Sequence, residues 1–436
     1  MRPSPSCGSR AALAAFLLCA CAAARAGHGL NLVGFGNESI GLAGADTAVS
    51  ADSAAVNINP AGLAQLEAGR WDVYTSPFMA VGTGHADAYG NDKGMDNPIG
   101  TTSGFSYARP LSPSITAGAG LFVQGGTGFV YEDLNTAFGT VDEASALFSI
   151  FRFAPAVAWR IDDQWRVGGA VALQYAQGRQ KLFFDTSHVD DPEDPDDPVD
   201  PFFGLRFDGG EAIVPAYKLG LQWHGRTVTA GLVYTWKTKL DLEDATLTVN
   251  YEALGHGRVK YEDAELTGLA LPREVALGLA WRPTPRWLFA SEVLWLEWSD
   301  ALKASTLRAR DPDIGGLPDA LQSIEAVSRL DWRDQVVVSL AAQYRWDERT
   351  TLRGGFDVSR NPNPNKTMSP LFNLGQRTEI TAGFTRRRPG ATWDWGMALQ
   401  YQPPVEYVYT NPELPFGPDA RERYEVFILT FAIGWH

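Results

Sequence analysis

The stretch Phe151-Arg152-Phe153-Ala154-Pro155-Ala156-Val157-Ala158-Trp159-Arg160 decides the fold. Its odd positions read Phe, Phe, Pro, Val and Trp, and its even positions read Arg, Ala, Ala, Ala and Arg. Because a strand turns successive side chains to opposite faces, one face suits lipid and the other a lumen. The pattern returns in Ile213 to His224, where Ile213, Pro215, Tyr217, Leu219, Leu221 and Trp223 alternate with Val214, Ala216, Lys218, Gly220, Gln222 and His224. It returns again in Gln335 to Trp346, with Val336, Val338, Leu340, Ala342, Tyr344 and Trp346 on the apolar face.

About fourteen such segments succeed one another, at 70–82, 101–109, 114–124, 147–160, 164–179, 211–224, 226–239, 272–283, 285–298, 332–346, 349–360, 376–388, 392–402 and 421–436. A bacterial single-chain barrel requires an even number. The connections alternate between short (Pro110 to Pro113, Asp162-Asp163, Gly225, Thr284, Asp347-Glu348, Pro389 to Ala391) and long (83–100, 125–146, 180–210, 240–271, 299–331, 361–375, 403–420). Loops sorted by side predict an all-β, 14-stranded antiparallel transmembrane barrel in an outer membrane, with both termini at the periplasmic, short-turn end. A soluble sandwich or propeller also has many short strands, but its loops need not sort. Several segments exceed the ~9–11 residues that span a bilayer, so the barrel is expected to project beyond it.

Composition agrees. Of 436 residues 45% are apolar and 20% charged, too apolar for disorder. After the N-terminus no run reaches the ~18–20 apolar residues of a helical span. The formal charge is -14 with no basic stripe, which argues against nucleic acid as a partner. Much of that charge falls in Asp185 to Asp200, which holds eight acidic residues interleaved with prolines. It reads as a solvated loop, with divalent bridging to lipopolysaccharide as the functional alternative. No defined calcium spacing is present. A short amphipathic helix is expected around Ala320 to Val327, and an extension of the wall through Thr246 to Tyr251.

Arg2 and Arg10 before the apolar run Ala11 to Cys21, followed by Ala24-Arg25-Ala26, predict a secretory signal peptide over 1–26. The rival is a lipoprotein box ending at Cys21. All three cysteines (Cys7, Cys19, Cys21) lie in this segment. Residues 27–69 then differ from the rest, rich in glycine and alanine: Gly34-Phe35-Gly36, Gly41 to Ala48, and Asn57-Ile58-Asn59-Pro60-Ala61-Gly62-Leu63. So short a segment cannot fold alone. Inside a wide barrel, whose wall side chains cannot fill the lumen, it serves as a plug, with residues 70–436 as the barrel.

In this plug the chain resembles the FadL/TodX family of outer-membrane transporters for hydrophobic compounds, whose hatch carries an NPA motif like Asn59-Pro60-Ala61. Further matches are Ala158-Trp159-Arg160-Ile161-Asp162-Asp163-Gln164-Trp165-Arg166-Val167-Gly168, Leu271-Pro272 leading to Leu277-Gly278, Glu297-Trp298-Ser299 and Asp331-Trp332-Arg333-Asp334. Tyr344, Leu352-Arg353-Gly354-Gly355-Phe356-Asp357 and Asn363-Pro364 complete the set. The chain departs from the family in ending Trp435-His436 instead of on the aromatic that barrel-assembly machinery reads.

The resemblance implies passive uptake of hydrophobic molecules, long-chain fatty acids first, with aromatic hydrocarbons or alkanes as the alternative. A surface adhesin using the long loops is a rival of another class. No catalytic constellation, cofactor or metal site is expected, since the six histidines (His28, His85, His188, His224, His256, His436) are scattered. The barrel is expected to be a monomer. A fatty acid needs an apolar route, worth ~0.8 kcal/mol per methylene, and a cation for its carboxylate. Strand parity turns Arg152, Arg160, Lys218, Arg345 and Arg353 to the lumen, and Arg179 and Lys181 stand at the outer end of the fifth strand. The alternative is that lumenal arginines pair with acids such as Asp357, Glu379 and Asp394 to hold plug and wall together. The resemblance also implies a lateral exit at a kink in the third strand, where Gly118, Gly120, Gly125 and Gly126 interrupt Ile115 to Gly126. Close packing of those glycines on the plug is the other account.

Overall fold

A strand with one apolar face in lipid has no free edge to spare, because unpaired backbone groups in hydrocarbon have no water to bond. The computed structural model, which describes residues 28–189, 201–372 and 378–436, meets this with a closed antiparallel wall of fourteen strands. These are β1 (Arg70–Met79), β2 (Ile99–Pro110), β3 (Ile115–Asn135), β4 (Val141–Arg160), β5 (Trp165–His188), β6 (Phe202–His224) and β7 (Val228–Thr235). They continue as β8 (Glu274–Trp281), β9 (Trp287–Leu296), β10 (Gln335–Arg345), β11 (Thr350–Val358), β12 (Thr378–Arg387), β13 (Trp393–Tyr409) and β14 (Ala420–Trp435). Closure is direct, with β1 pairing β14 from Trp71↔Trp435 to Met79↔Phe427.

The faces fall as the alternation requires. Phe153, Pro155, Val157 and Trp159 are exposed, while Arg152, Ala154, Ala156 and Ala158 are buried toward the lumen. Trp281, Trp287, Phe289 and Tyr344 cluster on the outside near the short-turn end, an interfacial belt. The terminal aromatic face survives the extra residue. Phe431, Ile433 and Trp435 are exposed, whereas His436 turns in, its Nδ1 3.2 Å from the Arg70 guanidinium.

The long connections are more ordered than loops. What reads as a loop at 125–146 is mostly ladder, since β3 and β4 pair as far as Asn135↔Val141. Strands Leu242–Tyr251, Gly257–Thr267, Ala304–Pro312 and Ile324–Arg329 pair in sequence and join β6 at Leu247↔Phe207. The wall thus continues above the lipid-facing belt, through Thr246 to Tyr251 as expected. The helix expected at Ala320 to Val327 is absent. A single 3-10 turn at Asp319–Leu321 precedes the strand Ile324–Arg329; the i, i+3, i+4 spacing there loses to the cross-strand partners that Ala304–Pro312 offers. Of the acidic segment, Asp185 to His188 extends β5, and 190–200 lies outside the described residues, as does the expected signal peptide.

Candidate functional site

Residues 28–69 fill the lumen with turns and three short helices: α1 (Gly36–Gly41) and the 3-10 segments Ser53–Val56 and Pro60–Gln65. Small residues let this backbone touch the wall. Gly168 and Gly220 are register partners on β5 and β6. A Cβ at Gly168 would stand 2.4 Å from the Pro60 carbonyl carbon, and one at Gly220 would stand 2.0 Å from Asn59 Oδ1. Gly231 and Gly278, partners on β7 and β8, make the same cradle for Thr47 and Ala48.

Polar side chains complete the fit. Asn59 accepts from Ala61 N–H at 3.1 Å, capping the turn that Pro60 opens, and its amide donates to Thr47 C=O at 2.7 Å. Gly34 and Gly36 take positive φ around Phe35, whose ring meets Phe122 edge-on at 5.7 Å. Glu292 on β9 accepts from Asp46 N–H and Thr47 N–H at 3.1 and 2.9 Å. Burial, with Glu292 alongside, raises the Asp46 carboxyl above the ordinary carboxylate range.

The basic residues divide into three groups. Arg160 donates to Ala64 C=O at 2.7 Å, and Arg353 pairs with Glu38 at 3.1 Å, so both fasten the hatch. Arg345 has lumenal parity but stands exposed at the short-turn rim, away from the hatch; the strand simply outruns the lumen there. Arg179 and Lys181 lie on the outer face of the wall, Arg179 exposed and Lys181 paired with Glu143 at 2.8 Å, so they do not line the entrance. A register shift after Gly178 preserves that outward facing. The expected acids take other partners: Asp394 pairs with Arg70 at 3.4 Å, Glu379 accepts from Gln400 and Gln402, and Asp357 lies 3.8 Å from His28.

Arg152 and Lys218 differ from all of these. Both are lumenal, and among the described residues neither has an ion pair. Arg152 donates to Gln174 Oε1 at 2.9 and 3.1 Å and to Asn57 Oδ1 at 2.9 Å, and the Lys218 ammonium donates to Asn57 C=O. The acids nearest Lys218, namely Asp46, Glu274 and Glu292, share its cavity without touching it; charge held out of water with no carboxylate in contact is costly, and ionisable groups at membrane depth mark ligand paths. Beside Lys218 lies a cavity of about 90 Å³ lined by His28, Asn31, Leu32, Asn57 and Glu274, whose carboxylate accepts from the Asn31 amide. Cavities that hold ligands run to about 300–1,000 Å³. The space beside Lys218 is therefore too small for such a ligand with the hatch in this position.

The wall is broken next to this cavity. The β2–β3 ladder stops at Gly104↔Phe122. Further along, Asp96 N–H meets Val130 C=O at 2.8 Å. Between them a bulge at Val123/Gly125 turns β3 away while its pairing with β4 continues. The freed edge bonds the hatch: Gly126 N–H donates to Leu30 C=O at 3.1 Å and Leu32 N–H to Gln124 C=O at 3.4 Å. A Cβ at Gly125 would fall 1.8 Å from Leu30 O, so glycine is required for that approach. Leu32 packs on Val123 and Phe151 and stoppers the break. Gly118 and Gly120 lie below it, inside the intact ladder, and Gly118 packs on Val56 of the hatch.

A fourteen-strand wall, a lumen stoppered by the chain's own N-terminal segment and a break beside the stopper define a hatched outer-membrane transport barrel. Residues 16–414 match the family described as outer membrane protein transport protein (OMPP1/FadL/TodX). The chain belongs to this family, whose barrels transport hydrophobic compounds across the outer membrane. Among solved structures it is similar to the P. putida toluene transporter TodX, with 17% identity, TM-score 0.75, and 93% of this chain and 99% of that one covered. It is also similar to the Ralstonia pickettii toluene transporter TbuX, with 18% identity, TM-score 0.70 and coverage of 93% and 100%. A Pseudomonas aeruginosa FadL homologue follows at 14% identity, TM-score 0.69 and coverage of 93% and 98%. At these identities the likeness is one of fold. No curated protein sequence matches the chain.

The glycine cradle was the part of this site that sequence reasoning missed. Gly168, Gly220, Gly231 and Gly278 alternate with lipid-facing residues like any other lumenal position. Their one visible signal is that two of them end family motifs.

Proposed function

We propose that the barrel takes up hydrophobic molecules bearing a carboxylate, long-chain fatty acids first, without covalent chemistry, and releases them sideways through the break between β2 and β3. In this reading the long connections face outward, and the short turns and the C-terminus face the periplasm. The observation that carries it is the pair Arg152, buried, and Lys218, half-buried, neither with a carboxylate in contact and both turned to Asn57 beside the break. A fatty-acid headgroup replaces the neutral oxygens of Asn57 with a charged acceptor, a stronger bond for both cations. Lateral exit spares the alkyl chain the aqueous periplasm.

Oleate uptake by cells with no other channel for it tests this. Arg152→Gln and Lys218→Met each raise the half-saturating oleate concentration about tenfold, since one hydrogen bond to a charged group is worth about 1.5–3 kcal/mol. Arg345→Gln, at the rim, leaves uptake as it was. Oleate uptake equal with and without the barrel, or unmoved by both lumenal substitutions, would overturn the reading. Uptake of aromatic hydrocarbons is a second reading, supported by the fold's likeness to two toluene transporters; it predicts toluene uptake insensitive to both cations.

A further inference from the structure

We infer that Arg160, Arg166 and Arg282 form a phosphate-binding site in the mouth of the lumen at the short-turn end. The site lies outside the uptake function proposed above; only the side from which the anion arrives, the periplasm, rests on the orientation given there. Arg160 and Arg166 are register partners across β4 and β5, both half-buried on the lumenal face. Like charges directly opposite one another weaken a ladder, yet among the described residues no carboxylate touches either arginine. The turn that joins the two strands does not supply one. Asp162 is spent accepting from the N–H groups of Gln164 and Trp165, and Asp163 is exposed.

The other bonds of the three guanidinium groups are few and neutral. Arg166 Nε and Nη1 are buried and bond nothing among the described residues, which is rare for donors out of water. Arg160 donates to Ala64 C=O, and Arg282, just past the end of β8, donates to Thr229 Oγ1 at 3.3 Å. The strands between them close the ring. Arg166 is the register partner of Gln222, and His224, two residues further along β6, is the partner of Thr229. His224 therefore lies in the field of all three arginines. Arg282 also lines, with Gln343 and Arg353, a cavity of about 160 Å³ between hatch and wall. A cavity of ~150 Å³ takes a molecule the size of benzene, so a tetrahedral oxyanion has room. The acids of that cavity, Glu38, Asp46 and Asp52, do not touch Arg282, and Glu38 is taken by Arg353.

In a chain of formal charge -14, three guanidinium groups gathered without a counter-ion call for an anion from outside. Fully solvated arginines would need none, but the buried nitrogens of Arg166 are not solvated. A carboxylate brings one charge and two oxygens. A free phosphate or phosphate monoester brings about 1.5–2 charges and at least three acceptor oxygens, enough to reach donors on separate strands, and the planar fork of arginine suits it.

Equilibrium dialysis of radiolabelled inorganic phosphate against the whole barrel, purified in nonionic detergent, tests the site. Folding of each variant is checked by heat-modifiable mobility. The native barrel binds one phosphate, and Arg166→Gln and Arg282→Gln each weaken binding about tenfold or more, since each removes a bond between charged groups. Arg386→Gln, an exposed arginine on β12, makes the same change in net charge and leaves binding as it was. Without phosphate, Arg166→Gln melts no lower than the native barrel, because it also removes a like-charged pair. Phosphatidic acid in mixed micelles, which ends in a phosphate monoester, displaces the label if the natural source is a lipid; retained label assigns the site to free phosphate, and either result upholds it. No binding by the native barrel, equal binding by folded Arg166→Gln, or equal displacement by acetate would overturn the inference. None of these results bears on oleate uptake, so the two readings fail separately.

Discussion

His85 shows how single residues bind the outer connections to the wall. In the short strand Gly84–Ala86 it is fully buried, its Nδ1 2.6 Å from Glu422 and its Nε2 3.0 Å from Asp87, while Tyr131 donates to the other Glu422 oxygen at 3.1 Å. Burial alone would lower its pKa, but the two carboxylates outweigh it and raise the imidazole to about 9. A folded value above the unfolded ~6.5 means the stabilisation is complete below pH ~6.5 and is lost as pH rises through about 9. Asp87, held below its ordinary value against the pull of burial by the same imidazole, sets the opposite limb and weakens as acid protonates it. Hydrogen exchange in residues 84–94 is accordingly slow near neutral pH and accelerates above pH ~9. His85→Leu abolishes that pH step and destabilises the barrel by about 3–5 kcal/mol, because the buried Glu422 carboxylate loses the imidazolium that balances its charge. An unchanged exchange profile in His85→Leu would contradict this account.

At the scale of elements, period two was legible wherever lipid lies on one side, as in Phe151 to Arg160, because there the two faces differ most in polarity. It faded in β3 beyond Val123 and through Ile324 to Arg329, where neither face meets lipid and the alternation carries less free energy. The bulge was visible only as two adjacent glycines. Its position at Val123/Gly125 depends on hatch backbone from nearly a hundred residues away in sequence, which a local reading of Ile115 to Gly126 does not contain. Because Val123 and Gly125 pair with consecutive residues of β4, Phe151 and Ile150, Gln124 is the extra residue of the bulge. Deleting it leaves the β3–β4 register intact and lets the β2 ladder run on past Gly104. Such a barrel folds, shown by retained heat-modifiable mobility, and loses lateral passage, so oleate uptake falls to the level of cells without the barrel. Native uptake by the deletion variant would mean that the molecule leaves elsewhere.

At the scale of the whole molecule, the barrel and the sorting of its connections were readable from one sequence, and the plug was readable from its small residues. The assignment of lumenal cations was only half readable, because parity fixes a face and says nothing of depth or partner. It put Arg345 in the lumen, where it meets only the rim, and treated Arg152 and Arg353 alike, though Arg353 is spent on Glu38. The hatch is tied to wall strands around the full circuit, through Asp72, Gln124, Arg160, Lys218, Glu292 and Thr385, so passage requires it to yield somewhere. The most direct measurement locks it reversibly. Ser53 in the hatch and Ser106 on β2 lie with hydroxyl oxygens 2.7 Å apart, close enough for a disulfide, and the chain's own cysteines all precede residue 22. In Ser53→Cys/Ser106→Cys cells, oleate uptake falls to the no-barrel level under oxidation and returns on reduction. Equal uptake in the oxidised and reduced states would contradict a hatch that moves to let the molecule through.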